Sequence, residues 1–190
     1  MKKIVLFASG TGSNAEKIIL HFKKSGLANV VAILSNNPHA KVLEMAKSHD
    51  IKTLVFSKQE LNEGFVLDKL KEIEPTIIVL AGFLWKFPET IISQFPNRVI
   101  NIHPALLPKY GGKGMYGMHV HKAILDNKET ETGITIHYVN ENYDEGAFIF
   151  QKAVNIEKCT TTEEIAKEVH QLEHEYFSII IEQLLTKMLH

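Results

Sequence analysis

Short apolar runs alternate with longer amphipathic stretches through residues 1–100, the pattern of repeated βαβ units around a parallel sheet. Strands are predicted over Ile4–Ala8, Val30–Ser35, Thr53–Phe56, Thr76–Ala81 and Arg98–Ile102. The first, second and fourth are almost wholly aliphatic, as expected where helices cover both faces of a sheet. Between them, Ala15, Ile18, Ile19 and Phe22 repeat at i, i+3, i+4, i+7 and predict a helix, with Ser13 and Glu16 spaced for a capping box at its start. Val42, Met45 and Ala46 mark a second helix and Phe65–Ile73 a third, closed by Glu74-Pro75.

After Pro104 the rhythm changes. Pro108 and the glycine-rich stretch Gly111–Gly117 precede a helix near His119–Asp126. Two β-rich runs, Gly133–Val139 and Ala147–Val154, flank the polar loop Asn140–Gly146 and are expected to extend the sheet with an antiparallel edge. Thr160, Thr161 and Thr162 offer N-caps for a long helix with the apolar stripe Ile165, Val169, Leu172, Tyr176, Ile180 and Leu184. Linkers, repeats and low-complexity tracts are absent from the sequence. Residues 1–190 are therefore expected to form a single α/β domain: a Rossmann-like, open twisted, mostly parallel sheet with helices on both faces and an antiparallel C-terminal portion.

Composition narrows the class of protein. A chain of 190 residues, 45% hydrophobic and 23% charged, can bury a core without disulfide or metal staples. Its one cysteine, Cys159, excludes an internal disulfide; the thiol precedes a helix start, where its pKa could be lowered, but no base lies near it in sequence. A formal net charge of -1 leaves no basic footprint for nucleic acid or an anionic membrane. The apolar run within Met1–Gly10 is too short for a signal peptide, and no stretch approaches the ~18 residues that span a bilayer. A cytoplasmic protein is expected. His119 and His121 have the look of a metal pair, but side chains at i, i+2 diverge on a helix, so no metal is expected.

Two segments carry candidate chemistry. Ser9–Asn14, with Gly10 and Gly12, joins the first strand to the first helix, where an α/β sheet presents backbone N–H groups to an anion. Gly10-x-Gly12-x-x-Ala15 fits a loose dinucleotide fingerprint, but Ser35-Asn36-Asn37 stands where a ribose-binding carboxylate belongs. NAD is disfavoured and a phosphate monoester suits the loop. In Arg98–Pro104, Asn101 and His103 project to one face at a strand's C-terminal end, their Cα atoms ~6–7 Å apart. An amide N–H and a protonated imidazole there could hold an oxyanion developing on a carbonyl. A carboxylate partner would come from Asn140–Gly146, where spacing alone does not choose Asp144 over Glu141 or Glu145.

Together these residues resemble the folate-dependent formyltransferases. Gly12-Ser13-Asn14, Leu80-Ala81-Gly82-Phe83, the block Asn101–Tyr110, Gly133–Val139 with His137, Asp144-x-Gly146 and Gln171-Leu172-Glu173-His174 match in order and spacing over nearly the whole chain. The Asn-Ile-His-Pro-x-Leu-Leu-Pro run is the most specific of them. The short length and the Glu173-His174 pair resemble the branch that formylates glycinamide ribonucleotide in the third step of purine synthesis. The tRNA-formylating branch carries an extra basic C-terminal domain, and the folate-deformylating branch an extra N-terminal one; neither is expected.

The resemblance implies a phosphate-binding N-terminal half (about 1–100), a folate-binding and catalytic portion (about 80–160) and a C-terminal helix (about 162–188). It implies 10-formyltetrahydrofolate as donor and glycinamide ribonucleotide as acceptor, no metal, and small molecules rather than nucleic acid or membrane as partners, and it leaves room for a homodimer. Gly12, Ser13 and Asn14 would hold the acceptor phosphate and Glu173 the ribose; Leu84, Trp85, Lys86 and Phe87 with the loop from Asn140 to Asp144 would line the pterin pocket, with Asn101 also touching the donor. Asn101 and protonated His103 would steady the oxyanion, and Asp144 would raise the His103 pKa and help move the proton. Trp85 replaces a frequent basic residue, His170 a frequent Gln or Lys, and the arginine some members use has only Lys58 or Asn62 nearby. Gly111–Gly117 is long enough to act as a lid over the acceptor. Two other readings share these features: transfer to a different amine, and a non-catalytic folate- or nucleotide-binding module.

Overall fold

The computed structural model describes residues 1–142 and 144–188. Seven strands form one sheet in the order β3-β2-β1-β4-β5-β6-β7. β1 (Lys2–Phe7), β2 (Ala28–Ser35), β3 (Lys52–Val55), β4 (Ile77–Leu80) and β5 (Val99–His103) run parallel. β6 (Glu131–Tyr138) and β7 (Phe148–Asn155) return antiparallel. The mixed sheet and its antiparallel end are those the hydrophobic pattern predicts.

Alternation along β1 divides the core. Ile4 and Leu6 point to one face, where they meet α1 (Ser13–Ser25), α2 (Lys41–Ser48), α6 (Met118–Asp126) and α7 (Thr162–Lys187). Val5 and Phe7 point to the other, among residues of α3 (Lys58–Asn62), α4 (Phe65–Ile73) and α5 (Glu89–Gln94). All four side chains are fully buried, each worth roughly 1.5–3 kcal/mol relative to exposure. α3 and α5 fall where apolar periodicity predicts nothing, being too short to show a helical repeat. Ser57 and Glu60 close a capping box on α3 that is legible in sequence, and Thr161 with Glu164 does the same for α7.

The start of α1 departs from expectation. Ser13 and Glu16 form no capping box: Gly12 is the cap residue, in the left-handed region at φ 82°, and no side chain caps the helix. A Cβ on Gly12 would lie 2.5 Å from Val42 Cγ2, so both conformation and space demand glycine here. Ser13 thus begins the first turn, and its hydroxyl is not spent on capping.

Strand order reverses around β1, whose neighbours are β2 and β4. In open α/β sheets the crevice at such a switch, beyond the strands' C-terminal ends, is where ligands bind. A cavity of about 650 Å³ lies there, bordered by the β1–α1 loop and by the ends of β4 and β5. A second hollow of about 740 Å³ opens beside β2 and β3 among Phe22, Asp50, Lys52 and Glu72; the side chains singled out for chemistry are not there.

Candidate active site

β5 delivers the first pair of groups. Asn101 and His103 are two residues apart on one strand, opposite His137 and Thr135 of β6. The Asn101 Nδ2 donates to His137 Nε2 at 3.1 Å. His137 keeps its own proton on Nδ1, 2.9 Å from the Tyr138 carbonyl that accepts it. This cross-strand partner fixes the amide plane of Asn101 and leaves its second N–H free. The resemblance includes His137, but its role is not legible in the sequence, because the contact requires β5–β6 pairing between residues far apart in the chain.

His103 is 4% exposed. Its Nε2 lies 2.7 Å from the Tyr110 carbonyl; a carbonyl only accepts, so that nitrogen carries the proton and Nδ1 holds a lone pair. Nδ1 faces Asp144 Oδ2 at 3.6 Å. Thr135 Oγ1 donates to the Ala105 carbonyl at 2.7 Å and accepts from Leu107 N at 3.0 Å, pinning the loop that follows His103.

Of the three acids that spacing left open, Asp144 is the one brought to this point. Its Oδ2 accepts the Gly112 N–H at 2.9 Å, and its Oδ1 is 3.5 Å from His137 Nε2. The residue sits at φ 55°, in the left-handed region that a short polar side chain tolerates. Close packing continues at Gly111, where a Cβ would come within 2.5 Å of Leu107 Cδ2 and 3.3 Å of Asp144 Cβ. Burial alone pushes the Asp144 carboxyl up, but the neighbouring His137 and His103 rings and the Gly112 N–H together hold it below the usual carboxylate range. Asp144 is ionised.

The charge of His103 before the reaction follows from its burial. Burial pushes its pKa below the ordinary value of 6.5, and the Asp144 charge offsets that only in part. Desolvating a cation in a 4%-exposed position outweighs one nearby carboxylate. The ring is neutral at neutral pH.

A second group gathers around Glu173 on α7, which is 5% exposed. Its Oε2 accepts from Asn14 Nδ2 at 2.9 Å and from His170 Nδ1 at 2.8 Å. That bond holds the His170 ring above its usual pKa against the opposing effect of burial. Gly12, Ser13, Asn14 and Glu173 border the same cavity as Asn101, His103 and Asp144. Leu84, Trp85, Lys86, Phe87 and Asn140 border it too. Phe87 is 3% exposed and sits edge-on to Phe7 at 5.0 Å, so its ring belongs to the core beneath the cavity. Trp85 packs edge-on against Phe56 and Phe83. Tyr143, in the loop expected to line the pterin pocket, lies outside the described residues.

The Gly111–Gly117 stretch runs along the cavity, with Gly112, Gly114 and Gly117 at positive φ. Cys159 is not an activated thiol: burial and the nearby Glu168 and Glu164 push its pKa up. Among the described residues no cluster of three or more His, Cys, Asp or Glu is arranged to hold a metal ion, and no helix is long and apolar enough to cross a membrane.

A cavity at the switch point, with an amide, an imidazole and an ionised carboxylate converging on it, suits acyl transfer to a nucleophile held at its edge. The formyl transferase family model matches residues 2–181, and the chain belongs to that family. It is similar to the phosphoribosylglycinamide formyltransferase of Bacillus subtilis, 34% identical over 191 residues, which cover 97% of this chain and 95% of that protein. To the chloroplastic phosphoribosylglycinamide formyltransferase of Arabidopsis thaliana it is 39% identical over 95% of its own length, but spans only 64% of that protein. The crystal structure of phosphoribosylglycinamide formyltransferase from Bacillus halodurans superposes with a TM-score of 0.88 at 34% identity, over 98% of this chain and 97% of that one.

Proposed function

We propose that the protein transfers the formyl group of 10-formyltetrahydrofolate to the amine of glycinamide ribonucleotide, the third step of purine biosynthesis. One observation carries the reading: Asn101, His103 and Asp144 meet in a cavity that also takes in the Gly12–Asn14 turn and Glu173. The first three suit a tetrahedral intermediate, and the second group suits a phosphorylated ribose. Backbone N–H groups at the start of α1 and the free Ser13 hydroxyl bind the phosphate. Glu173 has spent Oε2 on Asn14 and His170, and its Oε1 accepts from the ribose hydroxyls. The donor's pterin lies against Leu84, Trp85 and Lys86 and beside Asn140, with the Phe87 ring in the core beneath.

The acceptor amine attacks the formyl carbon, and the C=O electron pair moves onto oxygen. The Asn101 N–H not used on His137 donates to that oxyanion, a contribution of about 3 kcal/mol. Neutral His103 takes the proton shed by the amine on Nδ1, becoming an imidazolium next to Asp144 and the oxyanion. The same proton passes to the folate N10 as the C–N10 bond breaks. The products are the formylated amine and tetrahydrofolate, with no net proton change on the protein.

The test is an assay of the purified protein with 10-formyltetrahydrofolate and glycinamide ribonucleotide, beside a panel of other amine acceptors. Formylation of glycinamide ribonucleotide with the highest kcat/KM of the panel is expected. A preference for another amine, or no turnover with any, overturns the proposal.

A further inference from the structure

One buried polar side chain on the cavity wall has no part in the chemistry above. His121 lies in the first half of α6 and is 3% exposed, yet it borders the cavity along with Asn14, His103 and Glu173. Its Nδ1 is enclosed, without a hydrogen-bond partner among the described residues. A neutral imidazole carries one N–H, and burying that N–H without an acceptor costs about 1–3 kcal/mol. The proton therefore belongs on Nε2, the nitrogen left to face a ligand. Burial, and secondarily the His170 ring, push the His121 pKa down to about 4, so the side chain stays uncharged at neutral pH.

We infer that His121 is a further acceptor-binding residue, whose Nε2–H donates a hydrogen bond to a neutral oxygen of the acceptor, a hydroxyl or an amide carbonyl. The inference rests on the acceptor reading given above. The uncharged His121 ring offers a phosphate no ion pair, and the acceptor phosphate is assigned above to the backbone N–H groups at the start of α1. Neighbouring His119 is engaged differently: it is exposed and packs edge-on to Tyr116 at 5.3 Å.

Binding of glycinamide ribonucleotide and of inorganic phosphate, measured by calorimetry, tests the inference in wild type, H121F, H121Q and H121N. Phenylalanine keeps the ring's bulk and removes the donor, so about tenfold weaker acceptor binding is expected. The Gln amide nitrogen reaches the Nε2 position and restores binding to within about threefold, whereas the shorter Asn does not. The folate KM and the binding of inorganic phosphate stay at wild-type values. Wild-type acceptor affinity in a folded H121F, or equal losses in H121Q and H121N, overturns the inference; the second comparison stands even where H121F fails to fold. Loss of phosphate binding in H121F overturns the assignment to a neutral oxygen. Failure of wild type itself to bind glycinamide ribonucleotide sinks the acceptor reading instead.

Discussion

Replacing Asp144 by asparagine removes the charge beside His103 while keeping an oxygen that can still accept the Gly112 N–H. The effect falls on the moment when His103 becomes an imidazolium. A unit-charge pair at the observed 3.6 Å, in surroundings of effective dielectric about 20, interacts by roughly 4–5 kcal/mol. The Asp144 side chain is 11% exposed, and the asparagine amide keeps a dipole of its own, which brings the expected loss to about 3 kcal/mol, or ~10²-fold in kcat. Steady-state turnover at saturating donor and acceptor measures it, with thermal melting of the variant as the control for folding. A folded Asp144→Asn protein turning over within tenfold of wild type would refute the role of the charge.

Other perturbations separate the remaining parts of the site. Glu173→Ala strands the Asn14 and His170 donors and should raise the acceptor KM by about tenfold or more while kcat changes far less; an unchanged KM counts against ribose recognition. Gly12→Ala forces a left-handed residue against Val42, so a stability loss of about 1–3 kcal/mol in urea unfolding is expected, together with weaker acceptor binding. Because His121 titrates near 4 when folded and near 6.5 when unfolded, the unfolded chain binds more protons between those values and stability falls as pH drops through that window. His121→Gln removes up to about 3 kcal/mol of that acid loss, measured as the difference between the two proteins' unfolding free energies at pH 7 and pH 4; parallel curves would contradict it.

Much of the scaffold is legible in the sequence because doubly covered strands leave aliphatic runs such as Ile4–Leu6 and Ile77–Leu80, and because α4 has a clean apolar period. The site is legible only as far as it is local. Asn101 and His103 can be paired from strand periodicity, whereas choosing Asp144 over its acidic neighbours needs the loop folded back onto Gly112. The contributions of His137 and of the Tyr110 carbonyl depend on non-local pairing in the same way. The Ser13 capping box fails because a left-handed Gly12 takes the cap position, a backbone choice that a spacing rule does not register. The charge of His103 before the reaction is not legible either, because burial depth, which sets it, has no signature in a single strand.

The central claim is that a neutral His103 receives a proton under the influence of Asp144, and the pH dependence of kcat/KM tests it most directly. The acceptor amine titrates identically with wild type and Asp144→Asn, so the difference between their profiles isolates the protein group. Since the carboxylate raises the His103 pKa that burial has lowered, removing it should move the acid limb of His103 from its wild-type position below 6.5 to still lower pH. A limb at or above 6.5 in wild type, or one that stays in place when the charge is removed, would contradict the account.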